Sequence, residues 1–279
     1  MTATEFEYDG IKSSVFGLYI CWFDGIEQGA APIGSEITVN TVKSPGGNTF
    51  IRTGSVYETP LTFTFQVVKY DNNGESQQIE ARELAKIMQW LVRSDCNHYL
   101  RFEQSGWDNV FYNCSLKVQK YVIAGQICGL EIEATCDAPW GYSELKHYHF
   151  TLGSNEQNPF YLYNYSDENG GLFPDLVKIR VLNDCDLSIK NTFLIKNDKN
   201  NKKVITTTIK NCKNGEEIIF DKHRNIKSSN PHAEYGLAND FNFQFLQLFC
   251  DFYNAKNTIT ANKSCEISID YRAIRKGVC

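Results

Sequence analysis

The chain lacks several signatures that would settle a class at once. None of its 279 residues fall in an unbroken apolar run of about 18, the length a membrane helix needs, so no membrane insertion is expected. The first ten residues carry Glu5, Glu7 and Asp9 and no lysine. A signal peptide needs a basic start and an apolar stretch, so folding and assembly in a cytoplasm are expected. There is no Gly-x-Ser-x-Gly, no Gly-x-x-x-x-Gly-Lys-Ser/Thr and no His-Glu-x-x-His, so the common hydrolase, nucleotide and metalloprotease motifs are missing. Basic residues do not dominate: 28 Lys and Arg face 33 Asp and Glu, a net charge of −5, which argues against a nucleic-acid-binding surface. Seven prolines and 19 glycines are ordinary usage and exclude a collagen-like or linker-dominated chain. No internal repeat is visible.

Cysteine is plentiful, but its usual pairings are absent. The ten cysteines lie at 21, 96, 114, 128, 136, 185, 212, 250, 265 and 279, and no two are separated by two residues. That excludes zinc-ribbon and thioredoxin spacings. Free thiols buried as small hydrophobes are expected, with no metal and no cofactor. With 42% hydrophobic and 22% charged residues the chain is globular. Charge is uneven. Residues 1–150 hold 11 Lys and Arg against 18 Asp and Glu, a balance of −7; residues 151–279 hold 17 against 15, a balance of +2. Two domains fit this division.

Periodicity points to strands. Leu61, Phe63, Phe65 and Val67 alternate with Thr62, Thr64 and Gln66, the pattern of a half-buried strand. The apolar run 15–22 predicts a strand covered on both sides, closed by a turn at Asp24-Gly25. Residues 36–42 and 50–57 flank Ser44, Pro45, Gly46, Gly47, Asn48 and Thr49, which predicts a hairpin with a loose tip. One helix is predicted over 76–93, because Leu84, Ile87, Met88 and Leu91 recur at helical spacing opposite Glu80, Arg82, Glu83, Lys86 and Gln89. Strands are expected at 99–103, 111–121 and 130–136. Pro139-Trp140-Gly141 is a break, followed by a strand at 147–152 and a loop at 164–171. Beyond Pro174 the pattern is strand and turn: alternation at 177–181, a hairpin turn at Lys213-Asn214-Gly215-Glu216, alternation at 241–245 and again at Ile267, Ile269 and Tyr271. The fold class is therefore mainly β. A sandwich-like domain with one helix is expected over 1–144 and an antiparallel sandwich over 145–279.

Several segments resemble the distal tail proteins of long-tailed phages, in order and over nearly the whole chain. They are Phe6-Glu7-Tyr8-Asp9-Gly10 with Gly17-Leu18-Tyr19-Ile20, the helix at 76–93, and the junction Cys136-Asp137-Ala138-Pro139-Trp140-Gly141-Tyr142-Ser143. Pro174 with 177–181, residues 213–221, 225–229 and 257–259, and Ile269-Asp270-Tyr271-Arg272 complete the series. Asn254-Ala255 departs from the family's usual glycine. The resemblance implies a galectin-like sandwich for the second domain and a junction at Pro139, Trp140 and Gly141. It implies a structural virion protein and not an enzyme: a homo-hexameric ring at the tail tip. Its partners would be the tail tube protein, a tail-tip or baseplate hub protein, the tape-measure protein, and DNA passing without sequence-specific binding. In such a ring the acidic first domain would line the channel. The segment 44–49 is the candidate inter-subunit arm.

Two rival functions are readable. A galectin-like sandwich invites a carbohydrate-binding, host-adhesion role, with His223, Arg224, Asn225 and His232 as polar candidates. All four tryptophans (Trp22, Trp90, Trp107, Trp140) precede the second domain, and neighbouring residues on a strand face opposite ways, so a polar loop or edge strand is the plainer reading. His147 and His149 share a strand face and could join Cys136 or Glu144 around a metal; solvent-facing histidines explain them equally. Tyr161, Tyr163 and Tyr165 should share one face, suited to packing between domains or subunits.

Overall fold

A computed structural model describes residues 5–21, 37–71, 75–103, 109–232 and 236–276. Trp22, Asp24, Gly25, Glu36 and Trp107 lie outside them. The chain divides into two compact units, residues 1–143 with 275–279, and residues 144–274.

The first unit is built on one antiparallel sheet. Its order is Ile11–Lys12, Glu5–Tyr8, His98–Glu103, Val110–Ile123, Gln126–Cys136, Thr62–Tyr70 and Leu18–Cys21. The alternation at 61–67 does what its period dictates: Leu61, Phe65 and Val67 are buried while Thr62 and Thr64 are exposed. One face carries an aromatic core, with Phe65 edge-on to Phe6 and Phe102 at 5.2 Å each.

The helix covers this core but is shorter than its periodicity predicts, spanning Ala81–Leu91. Ser76–Gln77 instead pairs with Lys69 and Tyr70 as a short strand. Glu80 and Glu83 form a reciprocal capping box that fixes the helix start. Ile87, Trp90 and Leu91 face inward. Trp90 stacks between Phe6 and Phe16 at 5.7 and 4.8 Å, and its indole N–H donates to the Tyr8 carbonyl at 2.9 Å. The run 15–22 is not one covered strand. Ser13–Phe16 makes a 3-10 turn, ended by Gly17 at φ 66°, and only Leu18 of strand Leu18–Cys21 is fully buried. A Cβ at Gly17 would stand 3.0 Å from the Tyr70 carbonyl, so both conformation and space demand glycine.

The second unit is a sandwich. A five-stranded sheet runs Lys146–Leu152, Cys265–Tyr271, Leu176–Val181, Glu217–Asp221, Ile226–Ser228; a four-stranded sheet runs Phe160–Tyr163, Lys256–Ala261, Cys185–Leu194, Lys202–Cys212. Ile179, Ile267 and Ile269 from the first sheet join Leu187, Ile189 and Ile259 from the second in one core. A two-stranded ribbon, Gly170–Leu172 with Leu248–Cys250, lies beside them. Buried Asn257 ties it down: its amide donates to the Phe249 carbonyl and accepts from the Phe249 N–H at 2.8 and 2.7 Å.

Two expected elements differ. Residues 213–216 do not close a hairpin, because the strands on either side belong to different sheets; the turn carries the chain from one layer to the other. Residues 241–245 form no strand. Phe241 makes a single bridge to Ile209, and Phe243 sits at φ 56°. The Asn242 side chain takes over the ladder's role, accepting from the Thr208 and Gln244 N–H groups and donating to the Thr206 carbonyl.

The nine described cysteines are free thiols. Burial pushes the Cys212 and Cys265 thiols up to about 12.

A buried polar network ties the turn at 213–216 to Ser228 and His232. Fully covered Glu216 faces Nε2 of His232 at 2.7 Å, while His232 Nδ1 faces Asp240 at 2.9 Å. Ser228 and the Lys213 N–H donate to Glu216 at 2.6 and 2.8 Å. Burial alone would push the Glu216 carboxyl up, but the Ser228, Lys213 and His232 contacts outweigh it and hold it below its ordinary value. A depressed carboxyl stabilises the fold above its unfolded value and loses that contribution as pH falls through the folded one. Stability of this unit should therefore decline below pH 4.5, the ordinary glutamate value, and Glu216→Gln should flatten that decline in urea titrations across pH. His232→Ala, which takes one partner from each of two carboxylates, should cost about 1–3 kcal/mol in the same assay at neutral pH.

Candidate functional site

The most distinctive surface is the hairpin of strands Ile37–Lys43 and Phe50–Tyr57. It forms a sheet of its own, and every residue of its first strand is exposed. Register pairs Ile37 with Tyr57, Val42 with Ile51 and Lys43 with Phe50. A bulge at Asn40/Thr41 leaves Thr53 unpaired, and its hydroxyl donates to the Asn40 carbonyl at 3.2 Å. Exposed apolar side chains therefore stand on both faces, Ile37, Val39 and Phe50 on one and Val42, Ile51 and Val56 on the other.

The tip is better defined than its glycines suggest. Pro45 and Gly46 occupy the centre of a turn closed by the Gly47 N–H on the Ser44 carbonyl at 3.2 Å, with Gly46 at φ 75°, the type II arrangement. The Ser44 N–H donates to the Thr49 carbonyl at 2.9 Å, and Asn48 lies inside that closure. At the base, Tyr57 meets Trp140 edge-on at 5.4 Å.

Trp140 belongs to the expected junction. Residues 137–140 are a bend, and Gly141–Ser143 pairs with the strand Val110–Ile123. Asp137 anchors the bend, accepting from Asn113 Nδ2 at 2.6 Å and from the Tyr142 hydroxyl at 3.2 Å. Pro139 is half-buried within it. Gly141 has no room for a side chain, since a Cβ would lie 2.8 Å from Val110 Cγ1 and 3.1 Å from Tyr112 Cε1.

The other candidates do not assemble into one site. His147 and His149 share an exposed face, but His147 pairs with Asp270 and His149 with Ser268 at 2.9 Å. His223, Arg224 and Asn225 are not an edge strand. The loop wraps Asp221, whose carboxylate accepts the His223 and Asn225 N–H groups at 2.9 Å each and Asn225 Nδ2 at 2.8 Å. Those bonds, the Asn225 side chain foremost, hold Asp221 below the usual carboxylate range. His232 is committed to the buried network. Tyr161, Tyr163 and Tyr165 do share an exposed face; Tyr163 and Tyr165 stack at 5.9 Å and the Lys256 ammonium lies 3.7 Å from the Tyr161 ring.

One grouping escaped the sequence reading. Asp95, Cys96 and His98 bring three ligand atoms within 4.8 Å of one another, the one such group of three among the described residues. The spacing Asp-Cys-x-His was its signal, but it matches none of the paired-cysteine patterns. No helix among the described residues is long and apolar enough to cross a membrane.

Comparison with known proteins gives this surface its context. Residues 1–138 match a family described as phage tail protein N-terminal domain, and residues 140–271 match one described as phage tail C-terminal domain. The chain belongs to this phage tail protein family. It is a structural component of the tail, and hence of the virion. Among solved structures, the Dit (gp 19.1) protein of phage SPP1 shares the fold with a TM-score of 0.59 at 11% identity, over 97% of this chain and 99% of that one. Its description is a paradigm of the hub adsorption apparatus in phages infecting Gram-positive hosts. A chain of the phage P2 baseplate, in its activated conformation with Ca, aligns at a TM-score of 0.46 and 11% identity over 98% and 99% of the two chains. No curated protein matches.

In this tail protein, Gly141→Ala should cost about 1–3 kcal/mol through forced overpacking against Val110 and Tyr112. Chemical denaturation of the full chain checks it.

Proposed function

We propose that this tail protein forms a closed ring, six copies around, at the distal end of the tail tube. There it joins the tube protein to tail-tip or baseplate hub proteins. The tape-measure protein and then DNA pass through its centre. The observation that carries this reading is the hairpin 37–57. A lone two-stranded hairpin is at best marginally stable in water. Six large aliphatic and aromatic side chains exposed on such a ribbon, to which no further strand pairs among the described residues, suit it to add to a neighbour's sheet. A ring needs a heterologous interface, in which one patch of each copy meets a different patch of the next. The hairpin supplies one half of such a contact, with the segment 44–49 as the arm's end.

Passage of DNA calls for a wall that does not bind phosphate, whose affinity grows with each lysine or arginine presented. The balance of −7 over residues 1–150 favours that behaviour. In this reading the protein does no chemistry; it supplies geometry and charge. The fold shared with the SPP1 hub protein supports the same assignment.

Deleting residues 44–49 tests the arm. The variant should keep its far-ultraviolet circular dichroism while light scattering shows the ring giving way to monomers. A ring of unchanged mass after the deletion would falsify the arm's role.

A further inference from the structure

We propose that Asp95, Cys96 and His98 form a binding site for a divalent transition-metal ion, zinc being the best fit. Asp95 and Cys96 lie on the short connection between the helix Ala81–Leu91 and the strand His98–Glu103, and His98 opens that strand. His98 Nε2 is 3.3 Å from Asp95 Oδ1 and 3.7 Å from Cys96 Sγ, and Cys96 Sγ is 3.8 Å from Asp95 Oδ2. A tetrahedral zinc ion with ordinary bond lengths to nitrogen, oxygen and sulfur places its ligands about 3.3–3.6 Å apart. The N···O and N···S separations lie within a few tenths of an ångström of that geometry, and a turn of the Asp95 carboxylate, whose two oxygens face the imidazole and the thiol separately, brings one oxygen to the metal.

The imidazole is oriented for the task. Its other nitrogen, Nδ1, faces Asp9 Oδ1 at 3.0 Å, and Arg93 holds the second oxygen of Asp9 at 2.6 Å. Asp9 itself is fixed by the backbone. With Gly10 it forms the two-residue turn between Glu5–Tyr8 and Ile11–Lys12, both residues at positive φ, 53° and 73°. A carboxylate that accepts the Nδ1 proton leaves the Nε2 lone pair pointing outward, the arrangement that accompanies most histidine ligands. In that tautomer the Nε2 lone pair and the Asp95 carboxylate oxygen are two acceptors set against each other, and a cation between them relieves the conflict. Cys96 and Asp95 are exposed, so the ion can enter from solvent and water can take the fourth position. On binding, the Cys96 thiol proton passes to solvent and the sulfur bonds the metal. The paired-cysteine search missed this because a single thiolate, one imidazole and one carboxylate complete the set.

The competing account is a doubly protonated His98 bridging Asp9 and Asp95 with no metal at all. Titration with cobalt(II) separates the two. The full chain, without an affinity tag and stripped with a chelator, should take up one cobalt per chain. It should develop a thiolate-to-cobalt charge-transfer absorption and the intense visible bands of tetrahedral coordination, both removed by zinc. Cys96→Ser should abolish the charge-transfer absorption, and Asp9→Asn should weaken cobalt binding about 10–100-fold with circular dichroism unchanged. The absence of any spectral change on titration would leave His98 paired with Asp9 and Asp95 alone. Full absorption in Cys96→Ser would move the metal to other thiols. Either result overturns the site.

Discussion

The first unit depends on one pairing, the ladder between Val110–Ile123 and Gln126–Cys136. Its register sets Ile132 against Val118, Ala134 against Leu116 and Cys136 against Cys114, so these side chains share the face turned to the core. A two-residue slip would move the pairs apart, and a one-residue slip would turn them outward. The remaining strands take their places from this ladder. Thr62–Tyr70 pairs with one side and carries Leu18–Cys21 beyond it. His98–Glu103 pairs with the other side and carries Glu5–Tyr8, whose Phe6 and Tyr8 then meet Trp90 of the helix. The exposed hairpin is held at its base by Trp140, on the bend that directly follows the ladder's last residue. In chain order the ribbon's second strand, Phe50–Tyr57, runs directly into Thr62–Tyr70 of the main sheet.

The second unit solves its packing differently. Its two sheets bury a continuous aliphatic core, but the connections are held by asparagine and carboxylate side chains. Asn257 completes the ribbon's hydrogen bonds, Asn242 replaces a strand, Asp221 gathers a loop and Glu216 joins a turn to His232. Such side chains satisfy backbone groups that no ladder reaches.

That difference explains what was legible in the sequence. Alternation at 61–67, at 177–181 and at Ile267, Ile269 and Tyr271 reports a sheet with one covered face, and a strand forms at each. The helix face was legible for the same reason. Its start was not, because Ser76 and Gln77 had an open strand to pair with, which outweighs local helix preference. The hairpin turn at Ala124-Gly125 gave no conventional signal either; Ala124 adopts φ 49°, a conformation alanine seldom takes, because the long strands on both sides impose it. At 241–245 the pattern imitated a strand, while the decisive fact was where one asparagine amide found partners some 34 residues away in sequence. The isolation of the hairpin and the meeting of Asp9 with His98 are likewise long-range facts that no local period encodes.

The buried thiols have a consequence for the particle's durability. Burial pushes the Cys212 and Cys265 thiols well above their ordinary value, so the thiolate, the form that oxidants and disulfides attack, is scarce at neutral pH. A tail protein works in a virion exposed to air and to whatever fluid surrounds it. These two cysteines pack like small hydrophobes while their reactivity is suppressed, so neither position invites a cross-link as the particle ages.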